Sequence, residues 1–369
     1  MTGHWPQTVL ILYEGDDQGG DFGRSFADGF RANGCNVTLL NRSQPWDRPF
    51  DLALAYGPFR LATSMLPPVR RLLARPAGQR PLFAWWLTEG VPTPQLPGWL
   101  TEGASRLRLA IDRSPLMRPH RPSLARGHRL RVYGELRWVQ SHGALDVLAV
   151  TSASCAAYLR QRGFAPIVVP LGHHPHYYGE DLGLARDVDV CFIGNVDARR
   201  RRGVLQRVCD ELCTRGVTVS IRDAIYGTDR TRFLNRCRIM LNILRAPQDF
   251  VGQRFLLAAA NKALIVSEPL NDLQPFEPGR HLVVAPIARI AETVAHYLSQ
   301  EAERRRLVDQ AYHLITHDLT IAQMTGRILA QARRCVSARA DSAIPAERRE
   351  AGLPSSPGHD RDPHDGGFA

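Results

Sequence analysis

The sequence predicts an α/β protein made of two similar units that face one another across a cleft. Short apolar runs alternate with helical stretches along most of the chain, which is the pattern of parallel sheets covered by helices. The alternation breaks once, at the polar stretch after Gly172-His173-His174-Pro175-His176, and starts again at Val188. At 369 residues the chain has room for two separate cores.

The first unit opens with the strand Thr8-Val9-Leu10-Ile11-Leu12-Tyr13 and the loop Glu14-Gly15-Asp16-Asp17-Gln18-Gly19-Gly20. A helix is expected from about Arg24 to Asn33, stopped by Gly34, and a strand from Val37 to Leu40. Asp51 to Gly57 and Pro81 to Leu87 read as the third and fourth strands. Strand, helix, strand is a Rossmann-like beginning, yet the first loop lacks Gly-x-Gly-x-x-Gly spacing, so a dinucleotide fingerprint is not supported. Arginine dominates from Arg106 to Arg137, with prolines at 115, 119 and 122, and the next helix is expected from Val132 to Ser141. A strand at Val147 to Thr151, a helix at Cys155 to Arg162 and a strand at Ile167 to Leu171 close the first sheet.

The second unit starts at Val188 and alternates to about Ala332. Its most informative stretch begins at Gly252-Gln253-Arg254-Phe255. The small, apolar helix Leu256 to Ala260 follows and ends near Lys262. The β-branched run Ala263 to Val266 leads into a Ser267-Glu268-Pro269 turn, where a strand would meet a cleft. The loop Pro275-Phe276-Glu277-Pro278-Gly279 precedes an expected strand from His281 to Ala285 and an amphipathic helix from Ile290 to Leu298. From about Ser337 the composition turns to Pro, Gly, Asp, Arg and Ser without apolar periodicity, the signature of a disordered tail. The expected division is 1–175, 176–335 and a tail of 336–369.

No apolar run approaches the 18 residues of a membrane span. The start, Met1-Thr2-Gly3-His4-Trp5-Pro6, has neither the basic nor the apolar part of a secretory signal, so a cytoplasmic protein is expected. The seven cysteines are scattered, and Cys209 with Cys213 is the one close pair, which favours free thiols over zinc. The net charge of +11 comes almost wholly from arginine, Lys262 being the single lysine. No nucleic-acid motif accompanies that charge. An anionic small molecule, an acidic polymer or an anionic membrane surface fits it instead.

The residues Arg254 to Leu257, Ile265 to Glu268, Phe276 to Gly279 and His317-Asp318-Leu319-Thr320 stand in one characteristic order. Upstream, Val169-Pro170-Leu171-Gly172, Arg186 to Val190 and Phe192-Ile193-Gly194-Asn195 continue it. Over roughly residues 147–332 the chain thereby resembles the carboxyl-terminal half of GT-B-fold glycosyltransferases, in particular the group of spore-maturation-type proteins. The resemblance implies two Rossmann-like domains across a cleft, with a nucleotide-sugar donor on the second and an acceptor on the first. It also implies that no metal or other cofactor is needed.

Several residues are candidates for that chemistry. Gly194 and Asn195 end a strand, and the run Arg199-Arg200-Arg201-Arg202 opens a helix whose free N–H groups, with Arg200, suit a diphosphate. By the resemblance this is where the donor diphosphate sits. Retaining members of the fold carry two acids eight positions apart; here Asp249 occupies the first position and Leu257 the second, which removes the usual ribose-holding acid. Arg254 and Lys262 are candidates for donor contact. Glu268 suits a sugar or ribose hydroxyl, a turn cap or an arginine partner. Glu89, just past a strand end, is the candidate general base, with Asp16 and Asp17 as rivals. His173, His174 and His176 read as hinge packing.

The function these readings favour is transfer of a sugar from a nucleotide-sugar to an acceptor. One alternative is a GT-B scaffold without turnover that binds or regulates, favoured by Leu257. The other is a sugar-nucleotide epimerase. The arginines between 106 and 137 suggest contact with an anionic acceptor or membrane surface.

Overall fold

The computed structural model describes residues 6–13, 22–41, 49–57, 66–76, 79–88, 90–92, 96–114, 127–245 and 252–342. The first part of the chain forms β1 (Thr8–Tyr13), α1 (Phe22–Ala32), β2 (Asn36–Asn41), β3 (Leu52–Tyr56), α2 (Leu66–Leu73) and β4 (Leu82–Leu87). It continues through α3 (Gly98–Arg113), α4 (His128–Ser141), β5 (Val147–Val150), α5 (Ala153–Arg160) and β6 (Pro166–Val168). The strands make one sheet in the order β2-β1-β3-β4-β5-β6, every pair parallel. A parallel sheet is covered on both faces, so its strands are apolar throughout. All six residues of β4, Leu-Phe-Ala-Trp-Trp-Leu, are buried. Alternate side chains serve the two faces: Leu82, Ala84 and Trp86 pack on one side, Phe83, Trp85 and Leu87 on the other.

A one-turn helix, α6 (Pro175–Tyr178), leads to the second sheet. Its elements are β7 (Val188–Ile193), α7 (Arg199–Cys213), β8 (Val219–Arg222), α8 (Gly227–Arg236), β9 (Cys237–Asn242), α9 (Gln253–Ala260), β10 (Leu264–Ser267) and β11 (Val283–Val284). After them come α10 (Ile290–Ser299), α11 (Glu301–His313), a π-helical turn at Leu314–Asp318 and α12 (Ile321–Ser342). The strand order is β11-β10-β9-β7-β8, again all parallel. Each sheet therefore begins with a strand flanked by its second and third, which places a topological switch point between β1 and β3 and another between β7 and β9.

The halves meet at those carboxyl edges. The amide of Ser154, just beyond β5, donates to Asp272 Oδ2 beyond β10 at 3.0 Å. The Tyr177 hydroxyl donates to Gln253 Oε1 at the start of α9, also at 3.0 Å. One buried cluster is continuous across both halves, running from Phe26, Trp86 and Tyr178 to Phe255, Leu257 and Met240.

The chain crosses between the halves twice at one place. The His173 amide donates to Leu319 O (2.6 Å) and the Ile321 amide donates to His173 O (2.9 Å), so the two crossings are paired backbone to backbone. His173 is buried and its Nε2 bonds to Gly179 O at 3.1 Å; burial holds its pKa below the ordinary histidine range. The second crossing delivers α12 onto α1, β4 and β5 of the first sheet. Gly172 and Gly29 make this approach: a Cβ on either would come within 3.0 Å of Ile321. Asn33 locks the contact by donating to Gly29 O and Ala322 O at 2.8 Å each.

Three elements differ from expectation. Residues 98–113 form a helix that the arginine-rich composition did not suggest, because Trp99, Leu100 and Leu107 face solvent rather than the core. The strand expected from His281 to Ala285 shrinks to two residues, because the His281 ring instead accepts from the Glu277 amide at 3.0 Å and closes the Pro275–Gly279 loop. The helix of residues 321–342 runs past Ser337, where a tail was expected to begin. Arg339 holds it there, donating to Arg80 O at 3.0 Å and pairing with Asp146 at 2.5 Å. Residues 343–369, the rest of that expected tail, lie outside the described residues.

Candidate functional site

At the switch point of the second sheet two helices begin side by side. α7 follows β7 and α9 follows β9, and neither has a side-chain N-cap or an acid in its first turn. Their first turns and positive dipole ends flank the same crevice, an arrangement that attracts anions. The residues between β7 and α7 shape its floor. Gly194 adopts φ +122°, a conformation disfavoured for residues with a Cβ, and an added Cβ would lie 2.9 Å from the Arg254 guanidinium. Asn195 folds the next turn, accepting from the Asp197 amide at 2.8 Å.

Three arginines are fixed in this crevice by the carbonyl and carboxylate groups at the strand ends. Arg254 Nε donates to Ile193 O at 2.8 Å, its NH1 reaches Asn242 Oδ1 at 3.3 Å, and the guanidinium lies 4.9 Å from the centre of the Phe192 ring. Arg201, buried although charged, donates to Ile243 O and Asn195 O at 2.9 Å each. Arg200 grips Glu268 with both NH groups and donates to Leu244 O at 3.0 Å. Glu268 is itself buried and also accepts the Leu244 amide at 2.6 Å. That hydrogen-bonded carboxylate raises the pKa of Arg200 above its ordinary value. Of the four adjacent arginines, Arg199 and Arg202 point to solvent.

The structure thus brings together Gly194, Asn195, Arg200, Arg254 and Glu268. It separates Lys262 from them. Lys262 precedes β10 and so stands at the amino edge of the sheet, where it pairs with Asp181 (3.2 Å) and Asp309 (3.3 Å). Of the readings open for Glu268, the one observed is the arginine partner. Glu89 and Asp249, and likewise Asp16 and Asp17, lie outside the described residues. Leu257 is buried in the central cluster. His174 Nε2 lies 3.4 Å from Asp28 on α1, and among the described residues no three His, Cys, Asp or Glu side chains converge as metal ligands.

Two participants escaped sequence reading. Arg201 was one of four indistinguishable arginines. Asn242 carries a signal, a polar residue closing an apolar strand: its Oδ1 accepts from Arg254 and its Nδ2 donates to Ser267 Oγ at 2.9 Å. It joins the ends of β9 and β10 to α9.

Comparison with known proteins locates this geometry. Residues 187–330 match the model of a family described as glycosyl transferase-like. No curated protein matches the chain. Among solved structures, Anabaena HepE in complex with UDP and glucose is 11% identical, with a TM-score of 0.57 over 92% of this chain and 100% of that one. AviGT4, a glycosyltransferase involved in avilamycin A biosynthesis, is 15% identical, with a TM-score of 0.53 over 90% of this chain and 99% of that one. TarM is 9% identical with a TM-score of 0.51; 76% of this chain is covered, and it spans only 54% of TarM's length. With its two parallel α/β sheets joined at their carboxyl edges, the chain has the GT-B fold.

Proposed function

We propose that this protein is a glycosyltransferase that moves a sugar from a nucleotide-sugar donor, held at the β7/β9 switch point, to an acceptor on the first half. The observation that carries the reading is the convergence of Arg200, Arg201 and Arg254 with the starts of α7 and α9 on one crevice. Such a crevice suits a diphosphate, whose charge grows as the sugar leaves, so fixed donors aimed there favour the transition state over the bound donor. The glycosyl transferase-like match over the same residues supports it, as do the UDP and UDP-glucose held by HepE in its own structures. In this reading the nucleotide-sugar is the co-substrate, no further cofactor takes part, and the reaction takes place in the cytoplasm. Asp249 stands close before α9 in sequence and Glu89 just beyond β4, positions that keep both as candidates for work on the donor sugar and the acceptor hydroxyl.

Calorimetric titration of the purified chain with nucleoside diphosphates and nucleotide-sugars tests the reading. Selective binding of one donor is expected, with Arg254→Ala lowering transfer by roughly 10²- to 10³-fold, the cost of removing one preorganised donor of charge stabilisation. Near-normal transfer by Arg254→Ala would remove that residue from the site.

One observation favours a second reading, a GT-B scaffold that binds without turnover. Leu257 is buried where the resemblance calls for an acid, and Glu268 is already engaged by Arg200 and the Leu244 amide. Absence of any nucleotide binding by a folded sample, or binding without hydrolysis or transfer on long incubation, would decide for it.

A further inference from the structure

Helix α3 is turned inside out. Its inward face is small and polar: Thr101, Ser105 and Asp112 are buried with Leu109. The backbone of Ser105 sits so close to α4 that a Cβ on Gly134 would lie 2.8 Å from its carbonyl oxygen. Its outward face is apolar. Trp99 is 76% exposed, Leu107 64% and Leu100 40%, three of the seven large apolar side chains that stand out into solvent among the described residues. At 100° per residue these three share one side of the helix with the exposed Gly103 and Ala110, and the exposed Arg106 borders them.

The stretch of sequence that holds this helix is strongly cationic. Residues 98–141 hold nine arginines and three acids, Glu102, Asp112 and Glu135, leaving +6 of the chain's +11. Each acid is neutralised inside the helix pair. Glu102 pairs with Arg137 at 2.5 Å, Asp112 with Arg108 at 3.0 Å, and the buried Glu135 lies 3.9 Å from Arg131. With the three acids paired inside the helix pair, the surplus rests on the remaining arginines, of which Arg106 stands exposed beside an apolar stripe ending in a tryptophan.

We propose that the outward face of α3 docks this protein on an anionic lipid bilayer. An apolar stripe lying in the interface, bordered by arginine and anchored by an exposed tryptophan, matches the chemistry of that surface. Self-association through the same face would bring two cationic copies together, which the charge opposes. Docking is independent of the transferase reading and is measured without nucleotide.

The test is co-sedimentation of the full chain with vesicles of phosphatidylcholine alone and of phosphatidylcholine with phosphatidylglycerol. Binding is expected only to the anionic vesicles, weakening as salt rises. The double substitution Trp99→Gln/Leu107→Gln is expected to weaken it by about tenfold or more, two anchors being removed from the interface. An unchanged melting temperature shows that this variant is folded. Equal binding by the double variant, or no binding by the parent chain, overturns the proposal. So does a dimeric parent chain that becomes monomeric on the double substitution, since a second copy would then be the occupant.

Discussion

The two sheets share a strand order and differ in what stands at their switch points. Between β7 and β9 the crevice is lined with guanidinium groups pinned to strand-end carbonyls. Between β1 and β3 it is closed by aromatic rings: Phe26 packs 4.7 Å from Tyr56 and 4.8 Å from Trp86, and Phe22 lies 4.2 Å from Tyr177. Topology supplies a switch point in both halves, and among the described residues it is the second that gathers the chemistry to hold an anion.

The contrast can be broken first at Glu268. Replacing it with Ala leaves the Leu244 amide without its acceptor and Arg200 without its carboxylate, so stability should fall by about 2–4 kcal/mol. Chemical denaturation reads this, and Glu268→Gln should recover part by keeping an acceptor. A loss well under 1 kcal/mol would mean that this pair does not hold the second crevice together. Gly194→Ala comes next, costing about 1–3 kcal/mol through the strained φ and the contact with Arg254. Nucleotide affinity should drop more than the melting temperature suggests; the reverse order would make Gly194 a fold residue only.

The aromatic crevice predicts the opposite behaviour. Trp86→Phe loses the 3.0 Å bond from Nε1 to Val169 O and should cost about 1 kcal/mol while leaving nucleotide affinity unchanged. A parallel fall in affinity would show that the two crevices are coupled. The smallest effect belongs to the crossing between them. Burial keeps the pKa of His173 below its ordinary value, so as pH falls the unfolded chain takes up the proton before the native one. Stability from this residue is complete above the unfolded value of about 6.5 and declines toward the lower native value. His173→Gln should flatten that slope, leaving the part due to His281, whose burial acts in the same direction.

Much of this was legible in the sequence, and the limits are physical. Buried parallel strands such as Leu82–Leu87 announce themselves because both of their faces are apolar. Glu268 could be singled out because it follows a strand end, and Arg200 and Arg254 because each opens a helix; sequence position leaves open which partner each takes. Lys262 misled because chain proximity to α9 does not reveal that the helix carries the chain to the other edge of the sheet. α3 was hidden because periodicity assumes that apolar residues face inward.

The pairing of His173 with Thr320 also bears on how the chain is made. A ribosome releases the chain in order, so β1 to β6 emerge long before α12 exists to cover α1. The first-made sheet is thus the last to be completed, and the second must be synthesised while Gly29 and Asn33 still wait for their partner. Chains halted before Ile321 should therefore be protease-sensitive in α1 although every strand has been made, whereas equal protection of α1 in halted and full-length chains would show that the first half matures by itself.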